Sequence, residues 1–523
     1  MRFLILLLSV VILASCAKVG SPSGGEKDTT PPKIVSASPA NFSTNVNPKQ
    51  IEITFDEFVK LGNYQSEWIV SPTLKEKPEA KLRGKKLIIS LPDSLEENTT
   101  YIFNFAGTIG DLHEGNELEE KLFVFSTGAA LDSGMVSGNT MDAQKDEPLG
   151  KTAVGLFSTN DSNNFPPNYP PKYYAQSNDV GGFEFNYIKE NNYWIIAWVD
   201  ANKNKIVEPE EQIGFLGESI KPWFVKKQDS LKLRLFSNPP DTLISSKQKL
   251  FNNRRAVFSF NKEIAEDSLQ VLADEVAFVD YFKDSLAVWF KQEQLGDSLI
   301  INLKGSTINQ RVKMYPIEGI NKRESNKLRV INTLSPKKTS DSLFLVFSEP
   351  PVSDSIPVEL FNEKDSSWTA SALYRSTISN QFYFINQAPL GKTVVIKGPT
   401  VEGIYNHISD TLTLNYTLPS KEALGNLVVR TTLNQTFSGT PVFYFGIKGK
   451  MRHFPYHSGK LDLKQLSAGQ YDLFLIFDED GNGKYSPGNA GLRQQPERVI
   501  KYPGAIDIRS NWDLELEWVI PSK

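Results

Sequence analysis

One cysteine, four histidines and five methionines are all that 523 residues contain of those types. A single cysteine excludes an internal disulfide and any zinc site built from spaced cysteines. The chain has no G-x-S-x-G elbow and no Walker-type glycine loop, so nucleophilic and phosphoryl chemistry lack their usual residues. His453 and His457 have a four-residue spacing used for zinc on helices, but Pro455 lies between them and no Glu follows the first. That pattern reads as the end of a hairpin. The formal charge is −4 and no Lys/Arg block is interleaved with aromatics, which argues against nucleic acid as a partner. No apolar run reaches the roughly 20 residues of a membrane span.

Something shorter is present at the start. Arg2 precedes an apolar run from Phe3 to Ala14, and Leu13-Ala14-Ser15-Cys16 follows. The run has the length of a signal-peptide core. This segment resembles a bacterial lipoprotein signal, which implies removal of residues 1–15 and acylation of Cys16. Each buried CH₂ of the acyl chains would add about 0.8 kcal/mol of affinity for the bilayer. The Gly/Ser/Pro-rich residues 16–28 then read as a flexible tether. The sequence after Cys16, AKVGS, has no acidic cluster of the sort that resembles a Bacteroidota surface-export signal, so both membrane faces stay open.

Beyond the tether, short β-branched and aromatic runs alternate with turn residues: IEITF, KLIISL, TYIFNF and KLFVFS. That spacing predicts a β-sandwich. Taken in order, DTTPPKIVSASPAN, ITFDEFV, LEENTTYIFNF, GDLHEGN and FVFSTG resemble the SbsA-type bacterial Ig-like domain over residues 29–128. The resemblance implies a non-enzymatic sandwich that serves as a spacer or binding module, in a chain like the multi-domain lipoproteins of Bacteroidota. Two weaker copies of the Phe-ended strand, AVFSFNKEI and SLFLVFSEPPV, mark further Ig-like units at 238–331 and 332–418.

A second module type repeats at a constant offset along the chain. Gly181, Phe183, Phe185, Ile188, Tyr193, Asp200, Asn204 and Pro209 fall without a gap on Gly459, Leu461, Leu463, Leu466, Tyr471, Asp478, Asn482 and Pro487. Such a gapless match marks internal copies of one unit. The copies, 129–237 and 419–523, resemble the transthyretin-like, carboxypeptidase-regulatory sandwich. The expected fold class is therefore all-β, with five tandem sandwich modules behind a lipidated tether.

Each copy contains an Asp/Asn-rich loop. Counted as an EF-hand loop, the first offers Asp200, Asn202, Asn204, the Ile206 carbonyl, Glu208 and Glu211. The second offers Asp478, Asp480, Asn482, the Lys484 carbonyl, Ser486 and Asn489. Lys205 stands where a left-handed backbone normally takes Gly, and Asn489 stands where a bidentate carboxylate belongs. The flanks YWIIAWVD and YDLFLIFD are apolar strands, which excludes a helix–loop–helix hand. Two readings remain: calcium held weakly, at about 10⁻⁴–10⁻³ M as in extracellular modules, or an Asx-rich turn that needs no ion.

A proline-rich loop places Phe165, Tyr169, Tyr173 and Tyr174 among four prolines. It offers either a rigid aromatic contact for a protein or sugar, or a crossover packed on its own sandwich. Asp56 with Glu57, Glu263 and Glu349 recur after the Phe-ended strands as a turn feature rather than as the paired carboxyls of a glycoside hydrolase. The leading functional expectation is a non-catalytic lipoprotein of the cell envelope, held to the bilayer by acylated Cys16. In it the modules form a binding or scaffolding arm beside an outer-membrane protein or surface complex. The alternatives are an accessory subunit of an outer-membrane β-barrel transport, secretion or assembly complex and, less favoured, a carbohydrate-active enzyme.

Overall fold

The computed structural model describes residues 28–520 except 92–94, 160–164, 223–230, 238–242, 252–253, 265–268, 283, 293–298, 306–307, 316–326, 337–340, 363–365, 377–380, 386–391 and 448. Cys16 and its tether lie outside the described residues. Nearly every element is a strand. No helix among the described residues is long and apolar enough to cross a membrane.

The strands fall into five successive groups, and no strand pairing among the described residues crosses between groups. Each group encloses its own apolar cluster. The first group packs a four-stranded sheet, spatial order Ile34–Ser38, Gln50–Phe55, Lys86–Ser90, Glu79–Arg83, against Ile69–Ser71, Thr100–Asn104 and Leu122–Ser126. Ile51, Ile53 and Phe55 point inward while their neighbours alternate outward, as a half-buried strand requires.

This Phe-ended strand recurs in the same setting in the third and fourth groups. Arg255–Phe260 lies between Ser245–Phe251 and Ser285–Phe290, and Ser342–Phe347 lies between Val330–Leu334 and Gln381–Ile385. In all three the preceding strand has a register shift near its start, between Ile34 and Ser36, Ser245 and Lys247, and Val330 and Asn332. The polar residue after the Phe then captures a backbone N–H. Asp56 accepts from Lys33 at 2.8 Å, Asn261 from Ile244 at 2.9 Å and Ser348 from Arg329 at 3.1 Å. Asp56 is thereby committed to ending a strand. The fourth group differs in forming one seven-stranded sheet.

The second and fifth groups share a different topology. Gly134–Asp142 pairs antiparallel with Gly182–Ile188 and parallel with Leu231–Ser237. Leu424–Leu433 does the same with Lys460–Ser467 and Asp513–Ile520. Ala153–Ser158 pairs with Tyr193–Trp198, as Thr440–Ile447 pairs with Gly469–Asp478. Even single bonds repeat: the Tyr193 hydroxyl donates to the Lys189 carbonyl at 3.0 Å and the Tyr471 hydroxyl to Ser467 at 2.8 Å. Tyr187 and Gln465, equivalent under the constant offset, both have φ of 56°.

These two units touch. In the second unit, Tyr193, Ile195 and Ala197 face the interior of the sandwich, while Ile196 and Trp198 face a second cluster outside it. Ala490 of the fifth unit, fully buried, belongs to that outer cluster. The continuous apolar run at 193–198 is thus explained by burial on both faces.

Candidate functional site

The two Asp/Asn loops follow equivalent strands, Tyr193–Trp198 and Gly469–Asp478. In the first, the Asp200 carboxylate accepts from the backbone N–H of Asn204 at 3.1 Å and of Lys205 at 3.0 Å. Asn202 and Asn204 donate their amides to the Glu208 carboxylate at 2.8 and 3.1 Å. Glu211, almost fully buried, closes the loop by accepting from Ala201 at 3.3 Å and Glu208 at 3.0 Å. Burial pushes the Glu211 carboxyl above its ordinary value, with the Asp200 and Glu208 charges adding to the effect.

In the second loop, Asp478 accepts from Gly481 and Gly483, both at 2.8 Å. Asp480 accepts from the Ser486 hydroxyl at 2.6 Å and the Asn482 amide at 2.8 Å. The bond from Ser486 leads the causes that hold the Asp480 carboxyl below its ordinary range. Lys203 and Lys205 in the first copy, with φ of 61° and 62°, occupy the left-handed positions that Gly481 and Gly483 fill in the second, with φ of 76° and 73°. Lys205 swings out of its loop: its ammonium donates to the Trp68 carbonyl of the first unit at 3.3 Å and lies 5.0 Å from the centre of the Tyr174 ring. Burial, followed by the Lys77 charge, lowers its pKa.

The closing carboxylate of the second loop was missed by counting twelve positions. Asn489 forms the base of a separate turn, exchanging backbone bonds with Gln494 at 2.9 and 2.8 Å. Glu497 takes the place of Glu211, accepting from Glu479 at 2.7 Å and Ser486 at 2.8 Å. The constant offset sets Asn489 against Glu211, so the arrival of Glu497 in that role marks an insertion in the fifth unit. The signal for it was a Glu directly before the next strand, Glu211 before Gln212–Phe215 and Glu497 before Arg498–Lys501. Burial raises the Glu497 carboxyl, and the charges of Asp480 and Asp478 add to it.

Asp478, Asp480 and Glu497 each present an oxygen, all within 4.8 Å of one another, the one such group among the described residues. Carboxylate oxygens on this spacing are donors that a hard divalent cation takes. The first loop brings no such set together. His453 lies on Lys450–Pro455 and His457 in the turn to Lys460, both exposed. Glu263 pairs with Lys484 at 3.5 Å, and buried Glu349 pairs with His407 at 2.9 Å.

Of the two arrangements open to the proline-rich loop, its four aromatics take the second, a crossover packed on its own sandwich. Tyr173 is fully buried, its ring 5.7 Å from that of Tyr193. Phe165 meets Trp194 and Phe215 edge-on at 5.8 and 5.1 Å, Tyr169 meets Phe157, and Tyr174 meets Trp198. Their apolar area covers the outer face of their own sheet. The inserted turn of the fifth unit packs over them. The Arg493 guanidinium lies 4.7 and 4.3 Å from the Phe165 and Trp194 ring centres, and the Gln495 amide donates to the Phe215 carbonyl at 3.0 Å. At its far end the loop meets the first unit, where Thr73 bonds the Lys172 and Pro171 carbonyls.

Residues 28–127 match the family model of the bacterial Ig-like domain, so the first unit is a domain of that class. No curated protein matches the chain. Among solved structures, the chain is similar to the Bacillus anthracis TIE protein at 9% identity, covering 99% of this chain and 79% of that one, with a TM-score of 0.15. It is similar to the surface layer protein SbsC, domains 1–6, at 10% identity over 92% and 66%, TM-score 0.15. The major pilin subunit BcpA of Bacillus cereus matches at 9% identity over 74% and 99%, TM-score 0.14.

Proposed function

We propose that the chain is a membrane-anchored, non-catalytic lipoprotein of the cell envelope, whose sandwich units form a binding or scaffolding arm at the outer membrane. The observation that carries this reading is the contact between the two duplicated units. An insertion in the fifth unit grips the second, and the proline-rich loop ties the second to the first. Such cross-bracing gives a stiff body that holds a partner at a set distance from a lipid anchor. Lone Cys16 in its lipoprotein-like setting supplies the anchor. The recurrent carboxylates support a non-catalytic role, because Asp56, Glu263 and Glu349 lie in three different units, Asp56 and Glu349 each engaged within its own unit and Glu263 by Lys484 of the fifth. Calcium, in this reading, belongs to the second loop: a calcium titration to about 1 mM gives a response that Asp480→Asn removes and Asp200→Asn leaves.

The test is metabolic labelling with a radioactive fatty acid, followed by crosslinking in the native membrane. Label on the wild type and none on Cys16→Ala, with an outer-membrane protein among the crosslinked products, is the expected result. An unlabelled wild-type chain ends the anchored reading. A changed outer-membrane proteome on depletion would favour an accessory subunit of a β-barrel complex over a passive arm.

A further inference from the structure

The cleft between the second and fifth units, about 340 Å³ in volume, is lined by two arginines from different units, Arg234 on Leu231–Ser237 and Arg498 on Arg498–Lys501. Both side chains are partly buried, and the Nε of each is fully buried with no hydrogen-bond partner. Among the described residues, neither guanidinium has a carboxylate within ion-pair distance. The Asp146 charge acts on both from beyond that range, and its carboxylate accepts the Lys501 backbone N–H at 3.4 Å.

Two cations with buried, unsatisfied donors in one cleft are costly unless something neutralises them. Burial lowers the pKa of both guanidiniums, and the Arg498 charge lowers that of Arg234 further, which places the two in mutual repulsion. Thr436 and Ser438 line the same cleft, and their hydroxyls are neutral donors. Among the described residues, the one acidic residue in the lining is exposed Glu479, whose backbone N–H is bound to Glu497. Planar guanidinium forks suit a phosphate-type oxyanion, and two of them match its double charge better than a single carboxylate would.

We propose that this cleft is a binding site for a phosphate-type dianion, held between Arg234 of the second unit and Arg498 of the fifth, so that occupancy locks the two duplicated units together. It does not depend on lipidation or on the scaffolding role.

The test uses the mature chain kept in detergent, with inorganic phosphate as the probe. Calorimetry should detect phosphate binding at constant ionic strength, and the melting midpoint should rise by several degrees over a chloride control. Arg234→Gln and Arg498→Gln should each weaken binding by about tenfold or more, and Arg498→Lys, which keeps the charge and loses the fork, should fall between. If a glutamine variant does not fold, Arg498→Lys and Ser438→Ala carry the comparison. Glycerol 3-phosphate in place of phosphate separates the sources: tighter binding assigns an esterified group, weaker binding a free ion. Acetate binding as well as phosphate, an equal midpoint in phosphate and chloride, or variants that bind within twofold of wild type would each overturn the proposal.

Discussion

The second and fifth units have one topology and two surfaces. At equivalent positions of the two copies, Trp198 and Ile476 both lie on the outer face of their sheets and both are buried, but under different covers. The second unit is covered by its proline-rich loop and by the fifth unit's inserted turn. The fifth unit's outer face borders a cleft of about 410 Å³ shared with Gln144, Lys145 and Glu147 of the second. Duplication preserved the strand pairings while the loops diverged into the parts that dock one copy on the other.

The sharpest way to break that arrangement is Trp198→Ala, which should cost about 3–5 kcal/mol. It removes a fully buried indole that packs on Phe157 and Tyr174 beneath the docked turn. Ile476→Ala should cost less, because a smaller side chain leaves a smaller cavity. Urea unfolding of the two variants measures the difference, and equal losses would mean that the outer cluster adds nothing to the second unit.

Acid separates a carboxylate nest of the first unit from the paired loops. Asp111 accepts from the backbone N–H groups of His113, Glu114, Gly115 and Asn116. Burial alone would raise this carboxyl, but the four donors outweigh it and hold it at about 2. Because the folded pKa lies below the ordinary 3.8, its contribution is whole above that value and is lost as pH falls through about 2. Asp111→Asn should abolish this acid-dependent share of stability. Glu211 and Glu497 are raised and act with the opposite sign: their share is present below the ordinary 4.5 and fades as pH rises through the folded value. Denaturant midpoints of D111N and of Glu497→Gln, measured against pH, should therefore depart from wild type in opposite directions on acidification.

Glu497→Ala asks whether Glu497 rather than Asn489 closes the second loop. It orphans the N–H groups of Glu479 and Ser486, a loss of about 1–3 kcal/mol for each that stays buried. Asn489→Ala should cost less, since its side chain accepts from the Leu492 N–H at 3.0 Å in an exposed turn, where water replaces a lost partner. A thermal melt that ranked them the other way would restore the twelve-position count.

What the sequence made legible was whatever had a period or an offset. Alternation in IEITF showed the inward face of Gln50–Phe55, and the constant spacing from Gly181 to Gly459 onward showed two segments that share strand pairings. GDLHEGN could be quoted as a motif, though only the structure shows that its Asp gathers four N–H groups. What had no pattern stayed hidden. Ala490, Arg493 and Gln495 sit in an irregular insertion, and the neighbours that give them meaning, Phe165, Trp194 and Phe215, belong to another unit far away in sequence. Arg234 and Arg498 meet only because the copies dock. The aromatics of the proline-rich loop were readable as rigid and as able to pack on their own sandwich, but the cover over Phe165 comes from Arg493 of another unit, which no local pattern shows.

The finest comparison lies in two backbone positions. Lys203 and Gly481 are equivalent, both left-handed, and a side chain with a Cβ is strained there by steric contact with its own carbonyl, at a cost of about 1 kcal/mol. Lys203 is exposed, and a Cβ added at Gly481 would meet no atom within 4 Å, so packing does not enter on either side. Lys203→Gly should therefore stabilise the second unit by about 1 kcal/mol, less the added chain entropy of glycine in the unfolded state, and Gly481→Lys should destabilise the fifth by a similar amount. Lys205 is the poorer choice for this exchange, since its ammonium reaches the Trp68 carbonyl and its loss would loosen the contact with the first unit. If K203G does not raise its melting transition and G481K does not lower its own, the left-handed backbone carries no such cost at this position.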